Sequence, residues 1–147
     1  METIETLVTV EDTAIFMTGE DDGSMLRVSL SHNEFNDAKL VINRVADVDR
    51  GVVGSVLTGE EAICINDTTK DRRFDPSVDG APGSVVRAVL CEPIMGARGV
   101  LGAIELCNPE SSDTFTTMHR STLGLVSSLL APALERRLLL DGFERRS

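Results

Sequence analysis

The sequence predicts an α+β domain, and two observations support that prediction. Apolar, strand-like segments come in pairs joined by short glycine-containing connections, which is typical of antiparallel hairpins. Two further segments are predicted to be helices, a short one near the middle of the chain and a long one at the C-terminus. Consecutive hairpins combined with separate helices favour an antiparallel sheet with helices packed on its faces.

The first predicted hairpin joins the strands 13–18 and 25–30 through the acidic connection GEDDG at 19–23. The apolar residues of the next segment, 35–48, fit a loose helical spacing. A strand that ends near Val45 fits them equally well, and the sequence leaves both alternatives open.

A short helix, a strand and a long loop follow. GVVGSVLTG at 51–59 lacks polar alternation and ends at a glycine, which predicts a buried helix. EAICIN at 61–66 alternates and predicts a strand. The stretch 67–83 has no apolar periodicity and contains two prolines and two glycines. Because loops of more than about 12 residues inside a compact domain are usually functional or mobile, this loop is a candidate part of a site.

The C-terminal third of the chain predicts a second hairpin and a long helix. The hairpin has strands at 85–94 and 100–107, and the helix covers 112–147 with a cap at Ser112 or Asp113. Pro132 is expected to kink this helix, because proline lacks an N–H and clashes with the preceding turn. The apolar stripe of the helix consists of Leu123, Val126, Leu130, Leu134 and Leu138.

Composition excludes several classes of function. The net charge of −10 opposes direct binding to nucleic acid or to anionic lipid. No apolar run approaches the roughly 18 residues of a membrane helix, so no membrane partner is expected. The three cysteines lie far apart inside apolar runs, which fits free, buried thiols in a reducing cytoplasm.

Five motifs occur in an order that resembles the GAF domain, a sensory module of signalling proteins. They are GVVGSVLTGEEAICIND, DRRFD, RAVLCEPI, GVLGAIELCN and a later phenylalanine, Phe115. The resemblance implies that residues 1–147 form a single GAF domain with a six-stranded antiparallel sheet and helices on both faces. It also implies that terminal helices pair two subunits, and that the helix 112–147 connects to an output domain.

The resemblance further implies a small-molecule pocket between the sheet, the GVVGSV helix and the 67–83 loop. Glu105 is the only charge in GVLGAIELCN, and an unpaired buried carboxylate is costly, so it must reach solvent, a cation or a ligand. By strand alternation it shares a face with Leu101, Ala103 and Cys107. The expected ligand-binding residues are Val52, Val53, Asp67, Phe74, Ser84, Val86, Arg87, Glu105 and Asn108.

The chain looks most like the cyclic-nucleotide subclass of GAF domains but departs from it. Asn108 and Phe115 match the motif of that subclass, whereas its lysine is replaced by Pro109 and its Asp-Glu pair by His119 and Arg120. The ion pair that latches the pocket in that subclass therefore cannot form. Two threonines near the ligand phosphate are replaced by Pro82 and Val86, which leaves Ser84, Arg87 and backbone amides as phosphate donors.

An enzyme is not expected. Methionine sulfoxide reductases of the GAF family need a reactive cysteine where this chain has Val53, and a second one in the loop 67–83, which contains none. Cysteine attachment of a bilin is likewise not expected, and no cofactor or metal ion is predicted. The leading hypothesis is a sensor of an unidentified small molecule whose 67–83 loop and terminal helices transmit the signal. The alternatives are a ligand-free homodimerisation module and a cyclic AMP or cyclic GMP binding domain.

Overall fold

In the part of the chain that it describes, the computed structural model has six strands and two helices in one α+β fold. The strands are β1 (Val10–Thr18), β2 (Met25–His32), β3 (Ala38–Val45), β4 (Ile63–Ile65), β5 (Val89–Gly96) and β6 (Gly99–Pro109). The helices are α1 (Gly51–Gly59) and α2 (Thr117–Arg146), and a short 3-10 helix spans Thr68–Lys70. The structure describes residues 10–18, 25–32, 38–45, 49–81, 83–110 and 112–146. The predicted acidic connection 19–23 and Pro82 lie outside these ranges.

The strands form one sheet in the order β3-β2-β1-β6-β5-β4, and every neighbouring pair is antiparallel. The predicted six-stranded sheet is therefore confirmed. Of the two alternatives for 35–48, the strand is correct between residues 38 and 45. The second hairpin begins later than predicted, because residues 85–88 precede β5 and pair instead with the side chain of Asn108.

The two faces of the sheet pack against different helices. Side chains of one face, including Ala14, Phe16 and Cys107, form a core cluster with α1 and with the end of the 67–83 loop. Side chains of the opposite face, including Leu90 and Ile104, pack with Leu123 of α2. Helices on both faces are thus confirmed, and the face that carries α1 is called the loop face below.

An irregularity in the β5–β6 pairing alters the predicted alternation of β6. The register shifts between Ile94 and Met95, so that Gly102 pairs with Ile94 and Val100 pairs with Met95. Leu101 consequently packs with the α2 cluster, and the prediction that it shares a face with Glu105 is wrong. Gly102 lies against the backbone carbonyl of Phe16, where no Cβ would fit.

Helix α2 begins at Thr117, and the predicted cap at Ser112 or Asp113 is wrong. The cap is a reciprocal pair: the His119 N–H donates to the Thr116 hydroxyl at 3.3 Å, and the Thr116 N–H donates to His119 Nδ1 at 2.9 Å. This is the capping-box arrangement with histidine in the place of the usual glutamate or glutamine. The helix continues through Pro132.

The predicted apolar stripe of α2 is only partly buried. Leu123 is buried, whereas Val126 is 39% exposed, and Ser127 and Ala131 take the buried positions beside the sheet. Ser127 can be buried because its hydroxyl donates to the Pro93 carbonyl at 2.7 Å. Among the helices of the described residues, none has the length and hydropathy that crossing a membrane requires.

Candidate functional site

The amino end of α1 is capped by a side chain from far along the chain. The N-cap residue, Arg50, makes no side-chain capping bond. Instead, the Asp79 carboxylate accepts hydrogen bonds from the backbone N–H of Val52 at 2.8 Å and of Val53 at 3.4 Å. A carboxylate is favourable here because the free N–H groups of a helix and its dipole both attract negative charge. The contact fastens the end of the 67–83 loop to α1.

Two glycines of α1 make this contact possible. Gly51 has a φ of +75°, and a Cβ on it would lie 2.6 Å from Asp79 Oδ2. A Cβ on Gly54 would collide with the backbone of Asp49. The GVVG motif therefore allows the helix to begin sharply after Asp49 and lets the carboxylate reach the first N–H groups.

The residues before Asp79 form a compact turn that presents its carboxylate. The Asp79 N–H donates to the Asp75 carbonyl at 2.8 Å, and the Asp75 N–H donates back to Asp79 Oδ2 at 3.0 Å. Asp75 Oδ1 also accepts from the backbone N–H and the hydroxyl of Ser77. Hydrogen bonds within this turn, rather than a periodic pattern of apolar residues, therefore order this part of the loop.

Glu105 lies at the centre of the sheet, directly below this turn. It is 1% exposed, and its Oε1 accepts the Gly80 N–H at 3.0 Å. Its Oε2 is buried and has no hydrogen-bond partner among the described residues. Burial raises the pKa of Glu105 well above its usual range, and the neighbouring Asp79 carboxylate raises it further. These effects favour the neutral carboxylic acid, which can donate a hydrogen bond to Asp79 as well as accept one.

A buried arginine and a second acid complete the polar part of the loop face. Arg27 lies opposite Phe16 in the β1–β2 pair, with its guanidinium carbon 5.6 Å from the centre of the Phe16 ring. Asp12 is also buried. Desolvation raises the pKa of Asp12 and the charge of Arg27 opposes that rise. Opposite charges thus lie beneath the loop within a largely apolar cluster.

The structure brings five of the predicted site residues together on the loop face. Val52 and Val53 lie at the start of α1, and Glu105 lies below them on β6. Val86 is buried in the same cluster, and Phe74 packs against that cluster.

The other four predicted residues bond within the protein. Asp67 is exposed and accepts from Thr69, which caps the short 3-10 helix. Arg87 donates to the carbonyls of Asp113 at 2.7 Å and Pro109 at 2.6 Å. Both amide atoms of Asn108 are engaged, by Arg87, Ala88, Val85 and Glu11. The hydroxyl of Ser84 donates to the Ala81 carbonyl.

Sequence reasoning missed Asp79 and Arg27. Arg27 is the only charged residue of the segment MLRVSL, and strand alternation puts it on the buried face with Met25 and Ser29. That signal was available, as it was for Glu105. Asp79 gave no comparable signal, because its partners Val52 and Val53 precede it by 27 and 26 residues.

The charged and sulfur-containing groups elsewhere have local roles. Arg73 forms a local ion pair with Asp71. Cys91 and Cys107 are buried in the loop-face cluster, and burial raises the pKa of both thiols well above the usual value. A thiol held neutral in this way is a poor nucleophile. The described residues contain no cluster of acidic, cysteine or histidine side chains that could hold a metal ion.

The family comparison agrees with this architecture. The family model described as "GAF domain" matches residues 1–135. A probable 3',5'-cyclic phosphodiesterase of Caenorhabditis elegans, pde-5, is 26% identical over 99 residues, which is 67% of this chain and 14% of that protein. The chain thus spans about one seventh of the length of this relative.

Solved structures with this fold come from proteins of different kinds. The GAF domain of an Acinetobacter phosphoenolpyruvate-protein phosphotransferase has a TM-score of 0.71 at 18% identity, with 96% of this chain and 80% of that chain covered. A type II free methionine-R-sulfoxide reductase of Thermoplasma acidophilum has a TM-score of 0.67 at 9% identity, with 92% and 86% covered. These likenesses establish the fold, and together with the family match they show that the chain belongs to the GAF domain family.

Proposed function

We propose that this domain is a regulatory module that senses a small molecule bound between the sheet, α1 and the 67–83 loop. The observation that carries the proposal is Glu105, a fully buried acid whose Oε2 lacks a hydrogen-bond partner among the described residues. A buried polar atom of this kind is costly to leave unpaired. A ligand that supplies the missing bond would therefore stabilise the arrangement that it binds.

The loop is placed to report ligand binding to α2. Asn66, just before the loop, is tied to the segment before α2, because its Oδ1 accepts the Phe115 N–H at 2.8 Å. Arg87, four residues after the loop, is tied to the same segment because it donates to the carbonyls of Pro109 and Asp113. A ligand that displaces the Asp79–α1 contact would alter both ends of the loop, and thereby the start of α2. Coupling of this kind needs only that the ligand prefer one of the two arrangements.

A ligand-free interaction module is the second candidate. It is favoured by the closed state of the loop, in which Asp79 already caps α1 and Gly80 already bonds Glu105. The outer face of α2 also exposes apolar side chains, with Leu125 62% and Leu129 70% exposed. In this case the module would form a homodimer through its terminal helices, in the cytoplasm, and would have no catalytic activity.

A cyclic-nucleotide site is the third candidate, and only the relatives support it. Two of the expected phosphate or base contacts, Arg87 and Asn108, are bonded to other parts of the protein. The amino end of α1, where a phosphate would be favourable, is occupied by Asp79. A cyclic nucleotide would have to release all three contacts.

A thermal-shift screen of the purified domain tests these candidates. The panel contains cyclic AMP, cyclic GMP, other nucleotides, amino acids and short organic acids. A ligand at about 100 times its dissociation constant should add about 2.7 kcal/mol to folded-state stability. A hit that is lost in Glu105→Gln but kept in the exposed control Glu61→Gln supports the sensor. If no compound of the panel shifts the melting temperature and the domain is a dimer in solution, the interaction module is supported.

A further inference from the structure

Arg27 is a buried cation with free hydrogen-bond donors. It is 4% exposed, and its Nε and Nη2 are both buried without a hydrogen-bond partner among residues that the structure describes. The ring of Phe16 and the carboxyl groups of Asp12 and Glu105 lie near it. None of these neighbours bonds the two nitrogens, and an unpaired buried charge is among the most costly groups in a folded protein.

The two free nitrogens define a particular geometry. Nε–H and Nη2–H are the parallel donors on one edge of a guanidinium, and they match the two oxygens of a carboxylate. Arg73 shows the match within this chain. Its Nε donates to Asp71 Oδ1 at 3.0 Å and its Nη2 donates to Asp71 Oδ2 at 2.8 Å. Arg27 has the same pair of atoms buried, and no carboxylate among the described residues bonds them.

Glu105 is close enough to act with Arg27 on one small molecule. Arg27 lies on β2 and Glu105 on β6, with β1 between them. Two strand spacings, combined with the offset of two residues between Phe16 and Ala14 along β1, amount to about 12 Å, which two long side chains can span with a compact ligand between them. Two small side chains, Ala14 opposite Glu105 and Ala103 opposite Phe16, lie on this part of the sheet beside the buried Phe16 ring. Both unpartnered groups, Glu105 Oε2 and the Arg27 edge, belong to this same face.

We propose that Arg27 anchors the ligand of this domain, and that the ligand is a small carboxylate bound edge-on to Nε and Nη2, with Glu105 bonding a second polar group. This inference rests on the proposed sensor function, because it names the chemical class of ligand for that same site.

The first test uses the ligand-free domain and the variant Arg27→Met, with the exposed Arg98→Met as a control of equal charge change. Methionine retains most of the apolar length of arginine but removes the unpaired charge. Arg27→Met should raise the melting temperature by about 3 °C or more, whereas Arg98→Met should leave it nearly unchanged. A lower melting temperature for Arg27→Met would mean that the guanidinium is already satisfied in the empty protein, which contradicts the proposal.

The second test compares acetate, pyruvate and succinate with acetamide and inorganic phosphate at equal ionic strength. The carboxylates should raise the melting temperature of the wild type and of Arg98→Met but not that of Arg27→Met. Arg27→Lys keeps the charge without the paired edge, and should weaken apparent binding about tenfold or more. Equal stabilisation by phosphate, or full binding by Arg27→Lys, would overturn the assignment of a carboxylate held edge-on.

The same measurements separate the two proposals. A ligand from the wider panel that stabilises the wild type and Arg27→Met equally would overturn the role of Arg27 and leave the sensor standing. An absence of stabilisation by every compound, in the wild type and in all variants, would count against the sensor as well as against the carboxylate.

Discussion

Both faces of the sheet are packed against other elements, but the buried side chains of the two faces differ in chemistry. Beneath α2, the core cluster consists of apolar side chains such as Leu90, Ile94 and Ile104. Beneath α1 and the loop, apolar side chains surround Asp79 and Glu105, and strand alternation puts Arg27 on the same face. Each face has its own buried cluster, so burial alone does not require charged groups on either one.

This difference between the faces distinguishes a face that serves packing from one with the features of a binding site. A face whose only task is packing gains from methyl groups and loses from unpaired charges. The α2 face follows that rule, and the loop face departs from it at Arg27 and Glu105, where buried polar atoms lack partners among the described residues. Departures of this kind are expected at binding sites, because a site must leave some groups for the ligand.

The largest effect should come from the apolar face. Leu90→Ala is expected to lower the free energy of unfolding by about 2–5 kcal/mol, because it leaves a cavity in a fully packed cluster. Leu90 is 1% exposed, so the exposed Leu125→Ala is a matched control and should change stability by less than about 0.5 kcal/mol. Urea unfolding monitored by circular dichroism measures both. A large effect of Leu125→Ala would show that another surface covers the outer face of α2.

On the loop face, Asp79→Asn is expected to lower the free energy of unfolding by about 1.5–3 kcal/mol. The variant loses the charge that bonds the N–H groups of α1, and hydrogen bonds to charged groups are the stronger kind. Limited proteolysis should also cleave the 67–83 loop faster. Asp113→Asn, at an exposed side chain, is the control. Equal protease resistance in the two variants would mean that Asp79 does not fasten the loop.

Glu105→Gln should change the pH dependence of stability. The pKa of Glu105 in the folded protein is raised above the ordinary value of 4.5, so between that value and the raised one the folded state binds more protons than the unfolded state. Wild-type stability therefore falls as pH rises through this window, by at most about 1.4 kcal/mol per pH unit. Glutamine cannot ionise, and the fall attributable to this residue should vanish. Urea titrations at several pH values measure this dependence, with Glu61→Gln as the control. If both variants show the same pH dependence as the wild type, the raised pKa of Glu105 is contradicted.

The smallest effect should come from the exposed ion pair on the loop. Hydrogen bonds from Arg73 hold the pKa of Asp71 at about 2, but the pair is open to solvent on one side. Asp71→Asn should therefore lower the free energy of unfolding by less than about 1 kcal/mol. NMR titration of the Asp71 carboxyl provides an independent check. A titration near the ordinary value of 3.8 would show that the pair does not persist in solution.

The fold was largely predictable because its signals are local. Alternation and turn residues revealed the two hairpins, and a single charge in an apolar strand revealed Glu105. The segment 38–45 stayed ambiguous because β3 is an edge strand that exposes Leu40 and Ile42, which obscures its alternation. The start of α2 was misplaced because His119 takes a capping position that the pattern reserves for glutamate or glutamine.

The site was less predictable because its geometry depends on contacts between distant segments. Asn108 was expected to face a ligand, yet both of its amide atoms bond the chain around β5 and Glu11. Asp79 was overlooked because only the folded loop brings it to α1. Neither outcome could be derived from spacing along the chain, since each depends on where a loop folds back.

The cap that Asp79 places on α1 also bears on how quickly a ligand could bind. While the carboxylate bonds the Val52 N–H, Gly80 of the loop bonds the acid on β6, and the proposed ligand would enter only during the intervals when that contact is broken. The observed association rate should then rise with ligand concentration and level off at the rate of opening, as expected when a conformational step precedes binding. A weaker cap would raise that plateau, so the side chain at position 79 would set the response time of the sensor.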